Sequence, residues 1–403
     1  MLLKEQKYAW FLLLFLWFFG FVGSLGRFVT AFYQTDITAS LGVGRDFIGF
    51  TWSTATIVGA ICAPIGGYLV DRIGYKKVML LVSLCNVLSL VIVVSIQNQL
   101  GYFVGNGLLA GIAGLGASTS YVLIANWFRN HRAKALAILG SAGSLGLAFL
   151  TPILNSISEL NWIQVYKILL LPSILFIPFV FVFIKRNHDE TEDKVTSSPS
   201  SLMKGSLLDY FRHPTLFVVV MAILTCGISM GTVEMNLVAI HQHNEVSTTM
   251  ISSALSLLGL LEVFGGITFS FMLDRTSRTK ALALLYLLRT VAFTFLITQF
   301  PVSPIMFSLL FGASYVGAVQ GGILVAGETL GTGKRKIGLQ TGFLLLIHQL
   351  GGAIAAICAG LNFDYAHNYQ AIIILNLVLS LIVTMGYFIV SRKQVVNYSS
   401  EAA

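Results

Sequence analysis

The sequence predicts an all-α integral membrane protein with twelve transmembrane helices arranged as two six-helix bundles. Three observations predict this fold: the composition, the long apolar segments, and a charged motif that occurs twice. Of the 403 residues, 56% are hydrophobic and only 10% are charged. A soluble protein of this length needs roughly a quarter of its residues charged, so this chain is expected in a bilayer.

A helix needs about 20 apolar residues to cross the roughly 30 Å hydrocarbon core. The first six such segments are predicted at 8–34, 46–69, 77–97, 102–126, 133–155 and 165–184. The second six are predicted at 216–241, 249–272, 280–298, 303–327, 337–360 and 369–390. The first segment follows Lys4 and Lys7. It is too long for a signal peptide and lacks a small-residue cleavage site, so we expect a retained span.

The only long polar stretch, 185–215, contains mixed charges, serines and prolines, which indicates a flexible linker. The predicted domains are therefore an N-terminal bundle (1–184), this linker, and a C-terminal bundle (216–403). Most of the 25 basic residues lie in every second loop, in the linker or near the chain ends. We call these the basic loops. The positive-inside rule places them, the linker and both termini in the cytoplasm. We expect the chain in the cell (inner) membrane.

Several other classes of function are disfavoured. A net charge of +8 could suggest a nucleic-acid partner, but the basic residues form short clusters between apolar runs rather than one patch. The four cysteines lie inside apolar segments without metal-ligand spacing. The sequence contains no catalytic, phosphate-binding or metal-binding motif in a suitable context, so we expect no enzyme activity, no cofactor and no metal.

The charged motif is GYLVDRIGYKK (67–77), which follows the second span, and a second version, SFMLDRTSRTK (270–280), follows the eighth. Asp274 lies 203 residues after Asp71 (274 − 71), about half the chain, which indicates a duplicated six-helix unit. Parallel repeats of this kind are typical of transporters whose two bundles rock around a central site.

The motif is predicted to act as a cytoplasmic latch between the bundles, holding while that side is closed and breaking when it opens. Its glycines permit a tight turn and close helix approach. A solvated loop that serves topology alone is the alternative. The predicted gating residues are Gly67, Asp71, Arg72, Gly74, Lys76, Asp274 and Arg275.

GYLVDRIGYKK resembles the G-x-L-x-D-R-x-G-R-K-x loop signature of the major facilitator superfamily, with Tyr75 in place of a basic residue. The resemblance extends over the twelve spans, the duplication and the central linker. It implies an alternating-access transporter of a small solute. The stretches GRFVTAFYQ, NWFRNHRAKALAILGSAGSLG and HQLGGAIAAICAGLNFDYAHNYQA also resemble the monocarboxylate and oxalate/formate branch.

Within that branch, the resemblance assigns three positions. Arg27 matches a cationic residue that faces the substrate path in the first helix. Glu262 matches a carboxylate of the eighth helix, although Gly266 stands where its partner arginine would be. His348 occupies the position of a lysine in the eleventh helix of the oxalate/formate type.

Five ionisable side chains lie well inside predicted spans, away from their ends. A charge there costs at least ~2.5–3.5 kcal/mol and so indicates function. Arg27 and Glu234 lie at nearly equal depth in the corresponding first and seventh helices. They could pair across a solute path or hold an anion beside a protonatable carboxylate; a purely structural ion pair is the alternative. Glu262 and Arg289, on consecutive helices, are predicted as a structural ion pair, with Glu262 a candidate proton carrier if unpaired. His348 is either a substrate-binding or a packing histidine.

These features predict a secondary active transporter, a symporter or antiporter, that moves a proton-coupled, monocarboxylate-like organic anion by alternating access. Arg27, Glu234 and His348 would bind the solute, and Glu262 or Glu234 would carry the proton. The expected partners are a small-molecule solute, protons and membrane lipid, with the chain as a monomer. Two alternatives stay open: efflux of amphipathic drugs or a siderophore-like metabolite, and a non-transporting sensor or scaffold on the same fold.

Overall fold

The computed structural model describes residues 7–128, 132–157, 159–184, 210–330 and 337–401. In these ranges the chain is almost entirely helical and contains no strand. Eleven of the described helices are long and apolar enough to cross a membrane, and a composite helical segment between residues 99 and 127 provides a twelfth. The predicted all-α, twelve-span fold is confirmed.

The spans are labelled α1 to α12 in chain order, and their bounds lie close to the predicted ones. The first six are Lys7–Phe32, Arg45–Ile73, Tyr75–Ser95, the composite α4 (99–127), Arg132–Ser156 and Trp162–Phe183. The second six are Pro214–His243, Thr248–Arg275, Arg278–Thr298, Ser303–Leu330, Ile337–Ala366 and Gln370–Glu401. A short helix, Gln34–Leu41, follows α1. Helices α11 and α12 continue past their predicted ends. The prediction followed the apolar residues, whereas both helices continue into more polar sequence.

Two of the spans are interrupted rather than regular. In α4, a seven-residue π-helix, Phe103–Leu109, is followed by a break at Ala113 and Gly114. In α10 the helix breaks at Tyr315 and Val316. The two breaks are 202 residues apart (315 − 113), nearly the spacing of the repeated motif. This agreement supports the duplication, because the same irregularity recurs in corresponding helices.

By their contacts the residues divide into two compact units. Unit 1 contains the described residues up to 184 together with 234–259 and 356–367. The added ranges are the ends of α7, α8 and α11 that lie farthest along the chain from the basic loops. We call this end of the helices the distal side. The predicted bundle boundaries stay a prediction, and most of the predicted linker, residues 185–209, lies outside the described residues.

In unit 1, α1 packs against α5 and α6, and α2 packs against α4. An aromatic and aliphatic cluster that includes Leu12, Phe15, Phe128 and Phe176 fills the space between α1, α4, α5 and α6. Where α2 meets α4, a Cβ on Gly66 would collide with the carbonyl group of Leu115. Small residues therefore set the close approach of these helices, as is common in membranes.

Unit 2 contains residues 210–233 and 260–355, except for 331–336, together with 368–401. Within this unit, α9 packs along α12. Tyr286 and Tyr387, both fully buried, stack with ring centroids 6.0 Å apart at this interface. The Tyr286 hydroxyl donates to the carbonyl oxygen of Ala222 at 2.5 Å, which links α9 to α7.

The turn between α2 and α3 depends on Gly74, which ends one helix and begins the next. Its φ of 83° and ψ of 157° fall in a region that only glycine adopts readily, and other residues pay about 1–3 kcal/mol there. We therefore expect Gly74→Ala to lower the apparent melting temperature of the purified protein. A Gly143→Ala control should not, because a Cβ at Gly143 meets no atom within 4 Å. Equal stability of the two variants would contradict this account of the turn.

Candidate functional site

The two membrane charges predicted at equal depth lie together in unit 1. Arg27 of α1 has Nη1 3.8 Å from Oε2 of Glu234 on α7. At this distance the contact is a loose ion pair rather than a short, bidentate one. The Arg27 side chain stays 61% exposed and that of Glu234 is 23% exposed. A second anion can therefore approach Arg27 without first breaking a close contact between Arg27 and Glu234.

Three hydroxyl groups fix the part of α1 that carries Arg27. Thr30 Oγ1 lies 3.1 Å from the Tyr102 hydroxyl of α4 and 2.9 Å from the Tyr166 hydroxyl of α6. Tyr166 also donates to the carbonyl oxygen of Gly26 at 3.2 Å. All three side chains are buried, and hydrogen bonds in such surroundings hold the backbone firmly. The network therefore sets the position of the α1 turn from which Arg27 projects.

A second polar contact, further toward the distal side, joins α7 to the short helix Gln34–Leu41 that follows α1. Gln34 Nε2 lies 3.4 Å from Asn236 Oδ1, and both residues are fully buried. Gln34 Oε1 and Asn236 Nδ2 have no hydrogen-bond partner among the described residues. Sequence reasoning missed both amides because neither is ionisable, although uncharged amides in apolar surroundings also need partners.

The N-terminus of α2 is capped by a carboxylate from α11. Asp364 accepts hydrogen bonds from the backbone amides of Arg45 at 3.1 Å and Asp46 at 2.8 Å. Gly44 at the N-cap has no side chain to supply this cap, so Asp364 satisfies amides that the helix leaves open. The Arg45 guanidinium also lies 3.6 Å from the centroid of the Phe363 ring. These contacts hold the distal ends of α2 and α11 together.

His348 lies on α11 within unit 2, beside α7. Its Nε2 is 3.1 Å from Met230 Sδ, and its Nδ1 is 3.3 Å from Gln349 Oε1. A Cβ on Gly227 would collide with the His348 carbonyl oxygen, so the two backbones touch here. A substrate-binding role for His348 stays a prediction.

Comparison with known proteins identifies the family. The sequence model of the Major Facilitator Superfamily matches residues 16–326. The chain belongs to this superfamily.

The relatives match most of the chain at moderate identity. An uncharacterized MFS-type transporter of Bacillus subtilis (strain 168), YcxA, is 27% identical over 407 residues, which cover 96% of this chain and 97% of YcxA. The sialic acid transporter NanX of Escherichia coli (strain K12) is 26% identical over 339 residues, covering 77% of this chain and 78% of NanX. In fold, the chain matches the nucleoside transporter NupG with a TM-score of 0.72 at 13% identity, over 94% of this chain and 98% of NupG.

As a member of the major facilitator superfamily, the chain is a multi-pass membrane transporter of small solutes and not an enzyme. The predicted superfamily is confirmed, whereas the monocarboxylate and oxalate/formate branch stays a prediction. No group of three or more His, Cys, Asp or Glu side chains that could hold a metal occurs among the described residues.

The basic loops of this transporter are described in part. Asp71 and Asp274 lie in the last turns of α2 and α8, but their side chains lie outside the described part of the structure. Gly67 is half-buried in α2. Three exposed cations rest on aromatic rings of unit 1 or unit 2: Arg72 on Tyr68, Lys76 on Phe181 and Arg275 on Phe271. The latch function of these loops therefore stays a prediction.

Arg289 is fully buried in α9, and its described contacts explain the break in α10. Nη2 donates to the carbonyl oxygens of Ser314 and Tyr315, each at 3.1 Å. The break frees these carbonyls from helical bonding, so a buried donor must satisfy them. Glu262 is also buried in unit 2, with 3% of its surface exposed. The predicted ion pair between Glu262 and Arg289 stays a prediction.

Proposed function

We propose that this transporter moves a small organic anion, with Arg27 binding the carboxylate of the solute and Glu234 carrying a coupled proton. The observation that carries the proposal is the loose, accessible ion pair between these two side chains. A carboxylate solute can take the place of Glu234 at the guanidinium. Neutralising Glu234 by protonation would release Arg27 for that exchange, which couples the proton to the anion.

The similarity to a sialic acid transporter supports an acidic solute, because sialic acid is a sugar that carries a carboxylate. We extend the predicted monocarboxylate class accordingly to sugar acids. We further propose that the chain works as a monomer in the inner membrane with both termini in the cytoplasm, since its basic loops follow the positive-inside pattern. The two six-helix halves would then provide alternating access around the solute.

The direct test is a solute panel on the purified protein at two pH values, read as thermal stabilisation. A ligand that binds the native state raises apparent stability by mass action. The panel contains monocarboxylates, sugar acids, neutral sugars, amino acids and lipophilic cations. Stabilisation by carboxylates that strengthens at lower pH supports the proposal. Stabilisation by lipophilic cations alone would favour efflux, and binding without uptake in proteoliposomes would favour a sensor.

Glu234→Gln is expected to separate exchange from proton coupling. The amide resembles a permanently protonated carboxylate, so the variant should exchange solute across the membrane yet lose uptake driven by a pH gradient. The measurement is uptake into proteoliposomes with and without an imposed pH step, alongside solute counterflow. Glu245→Gln, at an exposed acid in the loop after α7, is the matched control. If pH-driven uptake persists in Glu234→Gln, another group carries the proton, with Glu262 next to be tested.

A further inference from the structure

Three side chains with soft donor atoms meet where α7 lies against α11 in unit 2. Cys226 and Met230 are one turn apart on α7, and their Sγ and Sδ atoms are 3.6 Å apart. His348 of α11 places Nε2 3.1 Å from the same Sδ. Its ring also lies within hydrogen-bonding reach of the Cys226 thiol. A thiol, a thioether and an imidazole therefore converge on one point.

This donor set has a specific metal preference. Thiolate and thioether sulfur select soft cations such as Cu(I), and imidazole is a further copper ligand. Oxygen donors, which Mg²⁺ and Ca²⁺ require, are not part of the triad. The spacing of four residues between Cys226 and Met230 places both sulfurs on one face of α7, toward His348.

We propose that Cys226, Met230 and His348 form a three-coordinate site for a soft monovalent cation, Cu(I) or Ag(I). The contact of His348 Nδ1 with Gln349 Oε1, at 3.3 Å, orients the ring so that Nε2 faces the sulfur atoms. Such outer contacts orient ligands in many metal sites.

Three features of the surroundings bear on the rigidity, selectivity and accessibility of this site. The backbone contact of α7 with α11 at Gly227 holds the ligands of the two helices at a fixed separation, which a preformed site needs. The Arg289 guanidinium lies beside the Cys226 thiol, and its positive charge disfavours a divalent ion more than a monovalent one. Met230 and His348 are only half-buried, which leaves a route of entry to the buried thiol.

The test is Cu(I) binding to the purified full-length protein in detergent, in competition with a coloured Cu(I) chelator. We expect one Cu(I) per chain, and X-ray absorption should show two sulfur ligands and one nitrogen ligand. Cys226→Ser should weaken the affinity by at least about 100-fold, because loss of even an outer-shell partner costs 10- to 100-fold. Met230→Leu, which keeps the side-chain volume, should also weaken it measurably.

Cys358→Ser provides the matched control, because Cys358 is a half-buried cysteine on α11 outside the triad. It should bind Cu(I) as the unmodified protein does. Size-exclusion chromatography and the apparent melting temperature of the same samples show whether each variant is folded. If Cys226→Ser does not fold, Met230→Leu and His348→Gln provide the test instead. No stoichiometric binding, or equal affinity in Cys226→Ser and Cys358→Ser, would overturn the proposal. Neither result would bear on Arg27 and Glu234.

Discussion

Arg27→Gln is expected to reduce carboxylate transport by roughly one to two orders of magnitude at low solute concentration. A hydrogen bond to a charged group contributes about 1.5–3 kcal/mol, which corresponds to roughly a 10- to 150-fold weaker Kd for an anion. Arg27→Lys keeps the charge but not the planar, bidentate geometry, so we expect an intermediate loss. The measurement is the Kd from thermal stabilisation, together with uptake into proteoliposomes at several solute concentrations.

Two further variants distinguish a direct effect of Arg27 on anion binding from other effects of the substitution. Lys167→Gln, which removes an exposed cation beside Tyr166 on α6, controls for a general loss of positive charge. Tyr166→Phe removes the hydroxyl that donates to Gly26 and should weaken anion binding through Arg27 without removing its charge. If Arg27→Gln lost as much affinity for neutral solutes as for anions, the contact between Arg27 and Glu234 would be only structural. Carboxylate binding that is unchanged would disprove the proposed role of Arg27.

Much of the fold could be predicted because a bilayer imposes simple physical limits. Span length and hydropathy predict the helices, and the doubled motif predicts the repeat that puts Arg27 and Glu234 at equal depth. What could not be predicted depends on contacts without a local signal. Asp364 caps a helix that begins 319 residues earlier, at Arg45.

The irregular helices show the same limit. The apolar, glycine-rich sequence of α4 predicts one continuous span. The structure instead has a π-helix at 103–109, which we attribute to close packing against neighbouring helices. A Cβ on Gly105 would collide with Val93, and one on Gly111 would lie only 2.7 Å from Val58. The break in α10 depends on a buried donor, Arg289, from another helix. The sequence predicts that Arg289 is buried. It does not predict which carbonyl groups the guanidinium hydrogen-bonds, because those lie on another helix.

Gly49→Leu is expected to disfavour close packing of α2 against α11 and so to slow the transport cycle. A Cβ on Gly49 would collide with the Ala356 carbonyl oxygen of α11, and one on Gly360 would lie 2.6 Å from the Arg45 carbonyl oxygen. Overpacking costs about 1–3 kcal/mol, which lowers the population of the packed state by roughly 5- to 150-fold. An alternating-access cycle must pass through that state, so solute flux should fall while solute binding persists.

Accessibility of a buried site on the distal side tests the cause of that loss. Asn236 is fully buried there, so a cysteine introduced by Asn236→Cys should react slowly with a membrane-impermeant maleimide. Adding Gly49→Leu should speed the reaction, because the distal ends of the helices then separate more often. Asp364→Ala should act in the same direction, since it removes the carboxylate that caps α2. Gly23→Leu is the control, because a Cβ at Gly23 meets no atom within 4 Å. If Gly49→Leu and Gly23→Leu support the same flux and labelling rate, the contact between α2 and α11 does not gate transport.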